Sequence, residues 1–156
     1  MKFLLTKLLI VLILLPHKNV NIDAFMNFIG TNLYLPESVK RVCTWQYAIV
    51  KVETDNNIIT SYHVENEVSN EFKNSFKFLK GYKFDKNKLL NNRSVIFCVS
   101  LENQRIDNCD IQKPANYKHE EAIERLKLYK LSHTNTKPRN LYINKIITQI
   151  IYDPIK

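Results

Sequence analysis

Between Trp45 and Glu65 the chain alternates apolar and polar residues on both sides of Asp55-Asn56-Asn57, and this stretch limits its folding choices more than any other. Ala48, Val50 and Val52 alternate with Ile49, Lys51 and Glu53, the period-two pattern of a strand. Asn and Asp tolerate the left-handed backbone of a tight turn. Ile58 to Glu65 then returns with Tyr62 and Val64 on one face, so the spacing predicts a hairpin. A lone hairpin is marginal in water, so the rest of the chain has to supply the core.

The flanking segments supply helices and a third strand. Asp23 stands before Phe25, Phe28 and Ile29, a helix start signal. Pro36 suits the opening of a second short turn, Glu37 to Val42. Ser69 or Asn70 can cap a helix over 70–80 whose stripe is Phe72, Phe76 and Leu79, with Gly81 as terminator. Arg93 to Leu101 reads as a strand with Val95, Phe97, Val99 and Leu101 on one face. A crossover through the helix places that strand beside the first, antiparallel to it. The expected fold class is α+β, a three-stranded antiparallel sheet packed by one main helix.

Residues 102–116 read as a loop, and Asn116 caps a helix over about 117–131 with Ala122, Ile123, Leu126 and Tyr129 on its buried side. Glu120 and Glu121 near its start and Lys127 and Lys130 near its end complement the helix dipole. The last segment, about 141–152, is open between two readings. Ile143, Ile146, Ile147, Ile150 and Ile151 fit helical spacing. Five isoleucines and two tyrosines favour a strand by residue type. The spacing is followed here, so residues 103–156 are expected to form a helical appendage.

Residues 1–24 form a region of their own. Lys2 and Lys7 precede the apolar run Leu8 to Leu15, which Pro16 ends. A basic start and a short apolar stretch are the layout of a secretory signal peptide, and a membrane span needs about 20 apolar residues. The expectation is export to the periplasm or beyond of a domain over 25–102 with its extension 103–156, and no stable membrane span. An oxidising compartment permits a disulfide. Of Cys43, Cys98 and Cys109, the pair Cys98–Cys109 closes the shortest loop, with three unpaired thiols as the alternative.

The order of parts resembles the C-terminal domain of TonB and its relatives. Phe25 to Ser38, with Asn32-Leu33-Tyr34-Leu35-Pro36 inside it, is similar to that family's opening helix and entry segment. Residues 45–64 are similar to its hairpin, Asn70 to Phe84 to its helix and aromatic exit, and Val95 to Leu101 to its last strand. The likeness covers about residues 22–102. Asn56-Asn57 stands where the family's turn carries Asp-Gly, and no Pro-rich linker follows the leader. The resemblance implies a module without an active site that binds another envelope protein or peptide by strand addition. The edge implied is Arg93, Ser94, Val95, Ile96, Phe97 and Cys98, unless residues 141–152 cover it.

The remaining chemistry is sparse. Only Gly30 and Gly81 occur, which leaves no Gly-rich phosphate cradle. His17, His63, His119 and His133 lack paired metal-ligand spacing, and no Gly-x-Ser-x-Gly elbow appears. The chain is therefore expected to be no enzyme and to need no cofactor or metal. Its net charge of +8 is concentrated in 73–93, where Lys73, Lys77, Lys80 and Lys83 alternate with Phe76, Phe78, Tyr82 and Phe84. Such a pattern suits either a solvated helix face or a polyanion-binding surface for nucleic acid, anionic lipid or polysaccharide.

Overall fold

The fold is taken from a computed structural model, which describes residues 22–42, 44–85, 90, 92–103, 115–133 and 140–151. Helix α1 spans Ile22–Asn32, with Asp23 in its first turn and Phe25 and Ile29 buried. The single turn α2, Glu37–Lys40, follows Pro36, whose extended backbone stands at the N-cap. Strands β1, Gln46–Asp55, and β2, Ile58–Val64, form the expected hairpin. Asn56 and Asn57 take φ values of 49° and 65°. Two successive left-handed residues match the twist of the flanking strands, which is why amide side chains occupy this turn.

β2 stops opposite Val50, yet β1 continues toward Gln46. The Asn66 side chain takes over there. Its Oδ1 accepts from the Ile49 N–H at 2.7 Å, and its Nδ2 donates to the Tyr47 carbonyl at 2.8 Å. One amide thus does the work of the missing strand.

The helix expected over 70–80 is shorter. α3 covers Asn70–Asn74, with the Ser69 hydroxyl accepting from the Phe72 N–H, and a 3₁₀ turn follows at Lys77–Leu79. Asn74 and Ser75 are weak helix formers, and 3₁₀ turns are common where a helix runs out. Phe72, Phe76 and Leu79 are nevertheless fully buried. Gly81 sits at φ 89°, as a terminator should. The exit segment then lies along the outer edge of β2: Ile59 N–H donates to the Tyr82 carbonyl, and Gly81 and Phe84 N–H groups donate to Ile59 and Asn57 carbonyls, each at 2.9 Å.

Strand β3, Ser94–Asn103, pairs antiparallel with β1, as expected. The sheet itself differs from expectation. It has four strands in the order β2-β1-β3-β4, and it is mixed. Residues Asn140–Ile151 form β4, not a helix, and lie parallel to β3. Helix α4, Ala115–Ser132, connects the two, so β3-α4-β4 is a crossover unit and no appendage.

The crossover explains the composition of β3. Val95, Phe97, Val99 and Leu101 face a core shared with α1 and α3, whereas Ile96 and Cys98 face Ala122 and Leu126 of α4. Residues 95–99 are at most 1% exposed, because both faces of this central strand are covered. Such strands read as continuous apolar runs. Among the described residues, no helix is long and apolar enough to cross a membrane.

Candidate strand-edge interface

β3 has neighbours on both sides. Ser94 to Leu101 pair with β1, and Ser94, Val95, Ile96 and Cys98 lie in register with Asn140, Leu141, Tyr142 and Ile146 of β4. The edge expected at Arg93, Ser94, Val95, Ile96, Phe97 and Cys98 is therefore closed. The isoleucines that made the last segment look helical are what close it: Ile143, Ile147 and Ile151 enter the larger core, and Ile146 packs on the α4 side.

The open edge has moved outward to β4. Among the described residues no strand pairs with its far side. A register shift between Ile96 and Cys98 places a bulge on β4 between Tyr142 and Ile146, where Asn144 and Lys145 are exposed. The Lys145 ammonium bonds the Asp23 carboxylate of α1. Beyond the bulge, Ile146 to Ile151 run in unbroken register with Cys98 to Asn103. Half-buried apolar side chains flank this edge on both faces. Tyr142 and Ile146 of β4 pack on the α4 side, and Leu141 packs on the larger core, as do Ile22 and Met26 of α1. Ile150 is 38% exposed.

α4 is fixed over this edge by two contacts. His119 Nδ1 lies 3.1 Å from Thr148 Oγ1, and the Lys130 ammonium sits over the Tyr142 ring. On the opposite side, the Tyr129 hydroxyl donates to Glu65 at 2.8 Å. Burial first, and then this bond to a carboxylate, raise the Tyr129 pKa above its usual value. A smaller polar group lies under the start of α4, where the Trp45 indole donates to the Ser100 hydroxyl at 2.9 Å. Glu102 beside it is 1% exposed, and its Oε2 has no hydrogen-bond partner.

Cys98 is a free thiol, fully buried beneath α4. The expected Cys98–Cys109 bridge is corrected at this end: the thiol faces Ile49, Ile96, Ala122 and Leu126 instead of a partner sulfur. Burial pushes its pKa up to about 12, so it carries no thiolate at neutral pH. Cys109 and Cys43 lie outside the described residues, as do residues 1–21, on which the expected signal peptide falls. α1 begins at Ile22, so the boundary expected after residue 24 falls inside its first turn.

The basic segment is split by exposure. Lys77, Lys80 and Lys83 are exposed, Lys73 is half-buried, and Phe76 and Phe84 between them are core residues. The aromatic rings therefore do not alternate with the lysines on one surface, as a stacking groove would require. Tyr82 is half-buried against Phe25, Phe28 and Phe84, and burial, followed by the nearby Asp85, raises its pKa. His63 is exposed on β2, where its alternation with Tyr62 and Val64 placed it. Among the described residues, no group of three or more His, Cys, Asp or Glu side chains is arranged to hold a metal.

The fold and this edge define a class: a single mixed α+β sheet whose border strand β4 has a far side that pairs with no strand among the described residues. No family model, curated protein or solved structure matches the chain.

Proposed function

We propose that this chain is an exported protein-contact module that takes an extended segment of a partner as an added strand on β4. One observation carries the reading: the far edge of β4 pairs with no strand among the described residues. An uncovered edge offers main-chain N–H and C=O groups for affinity, and alternating side chains beside it give selectivity. The half-buried Ile146 and Tyr142 on one face, and Ile22, Met26 and Leu141 on the other, favour an incoming strand with apolar side chains on both faces. The mode is the one implied by the likeness to TonB C-terminal domains, with β4 in place of β3. Export rests on Lys2, Lys7 and the run Leu8 to Leu15, and it assigns the partner to the periplasm or the exterior.

A photo-crosslinking side chain at Gln149, on β4, tests the reading in producing cells. The control carries the same group at His63, on the opposite border strand. A discrete adduct at 149 and none at 63 is expected. Equal capture at both positions, or none at 149, would reject strand addition at β4.

A second reading rests on the exposed Lys77, Lys80 and Lys83, which follow one another along the exit from α3. They form a cationic surface to which a polyanion would bind with a steep salt dependence. Retention of the Lys77→Glu/Lys80→Glu variant on a polyanion matrix at the salt that elutes the parent protein would dismiss it.

A further inference from the structure

A groove of about 420 Å³ lies between the connector from α1 to α2 and the segment of α3 with its 3₁₀ turn, a size within the range of small-molecule sites. Tyr34 and Pro36 line it from the connector, Glu71, Asn74 and Phe78 from the other segment, and Asn32 from the end of α1. Tyr34 is 74% exposed, more than any other large apolar side chain described. Such a ring adds little to the core, yet it is held in place. Leu33 and Leu35 on either side of it are buried and pin the backbone. The Lys40 ammonium lies 5.4 Å from the ring centroid and bonds Glu37 at 3.0 Å. Phe78 is half-buried and is steadied by Phe28, with ring centroids 5.6 Å apart. Both rings are therefore set before any ligand arrives, which lowers the entropy lost on binding.

The polar groups beside the rings are unspent. Among the described residues, the Glu71 carboxylate and the Asn74 amide make no side-chain bond. Asn32 donates one Nδ2 proton to the Phe28 carbonyl at 2.8 Å, which leaves it a second proton and its Oδ1. The groove thus joins two aromatic surfaces to both donors and acceptors. We infer that it binds a neutral oligosaccharide built of equatorial pyranose rings. Such a ring carries slightly positive C–H groups on its two faces, which suit the negative face of an aromatic ring. Its edge carries hydroxyls, each able to donate to Glu71 and to accept from an Asn amide.

The same groups disfavour other occupants. A polyproline segment would stack on the rings, but proline has no backbone N–H to give to Glu71. A purely apolar molecule would strip water from Glu71 and both amides and return no hydrogen bond. An acidic sugar or other polyanion would meet the Glu71 charge. No basic side chain among the described residues lines the groove to offset it, and the Lys40 ammonium beside Tyr34 is already committed to Glu37. The site needs nothing at β4, so it stands apart from strand addition there.

Amide NMR spectra of the purified protein, titrated with cellohexaose and with chitohexaose to about 5 mM, read the result, since that level is five times a millimolar Kd. The side-chain amide signals of Asn32 and Asn74 and the backbone signal of Tyr34 are expected to move with at least one of the two sugars. Tyr34→Ala should weaken that binding by about 2- to 12-fold, the worth of one ring contact, whereas Tyr34→Phe keeps the ring and most of the affinity. Glu71→Ala should weaken it at least as much, because a hydrogen bond to a charged group exceeds a ring contact. Both side chains are exposed, so the circular dichroism spectrum of each variant should match the parent. Signals unmoved by both sugars, shifts confined to other segments, or binding indifferent to Tyr34→Ala and Glu71→Ala would each overturn the inference. A decaproline peptide that moves these signals where the sugars do not would overturn it too, and would leave strand addition at β4 intact.

Discussion

Truncating Phe25 measures whether α1 belongs to the cooperative core. The ring is 0% exposed and meets three others: Phe84 at 4.8 Å, Tyr82 at 5.1 Å and Phe97 edge-on at 5.5 Å between centroids. It therefore ties the helix to β3 and to the exit segment that covers β2. A buried Phe→Ala change costs about 3–5 kcal/mol. Each aromatic pair adds roughly 0.5–1.5 kcal/mol beyond its area. With three pairs lost, Phe25→Ala belongs at the upper end, about 4–5 kcal/mol. A urea m-value of about 2 kcal/mol per M then converts this into a midpoint shift of about 2 M. Phe25→Leu retains part of the volume and should cost roughly 1–2 kcal/mol. The assay is urea unfolding followed by both tryptophan fluorescence and circular dichroism, with the m-value held as a control. A Phe25→Ala midpoint within about 0.5 M of the parent, at equal m, would refute the docking of α1 onto this sheet.

Three further outcomes follow from the same packing. With Cys43 and Cys109 replaced by Ser, Cys98 should resist an aromatic disulfide reagent at pH 8 in buffer and react fully in denaturing urea; its pKa of about 12 leaves about one thiol in 10⁴ ionised there, so rapid labelling of the folded protein would contradict its burial. Asn57→Gly should stabilise the protein by about 0.5–1 kcal/mol in thermal unfolding, since it suits the left-handed turn and removes the buried Oδ1 that has no partner; destabilisation would count against this turn geometry. Tyr129→Phe should cost about 1 kcal/mol through the lost bond to Glu65. The folded pKa of Tyr129 is raised, so its contribution is complete below pH 10 and is lost as pH rises through the folded value. The parent should therefore lose stability above pH 10 more steeply than Tyr129→Phe, and parallel pH profiles would refute the assignment.

Local chemistry was legible where it was self-sufficient. Asn56-Asn57, Ser69, Pro36 and Gly81 each act through their own backbone, and each does in the structure what its residue type allows. The 1,3 alternation of β1 and β3 likewise carries its own periodicity. Two things were hidden. The first is Asn66, whose amide replaces a strand across β1; a single polar residue after a strand gives no signal of that role. The second is β4. It is apolar on both faces: Ile143, Ile147 and Ile151 enter the larger core and Tyr142 and Ile146 the α4 side, and residues four apart are in phase with both the strand and the helix period. A strand buried on both faces thereby imitates a helical stripe, and only the excess of β-branched side chains argued otherwise.

The bulge in β4 has a physical consequence of its own. A straight β4 would put a regular alternating edge along its whole twelve residues. The bulge divides it into a half held to α1 through Lys145 and Asp23 and a half, Ile146 to Ile151, whose far side pairs with no strand among the described residues. Bulges and charges of this kind keep a border strand from pairing edge to edge. On the strand-addition proposal, a partner strand would pair with the second half alone. α4 touches this half through His119 on Thr148 and the first half through Lys130 on Tyr142, and Asp23 of α1 holds Lys145 between them, so the strand is fixed in extended form. An edge already fixed in its bound shape loses little conformational entropy on pairing. On the strand-addition proposal, the isoleucines that obscured β4 in the sequence would thus also mark where a partner strand pairs.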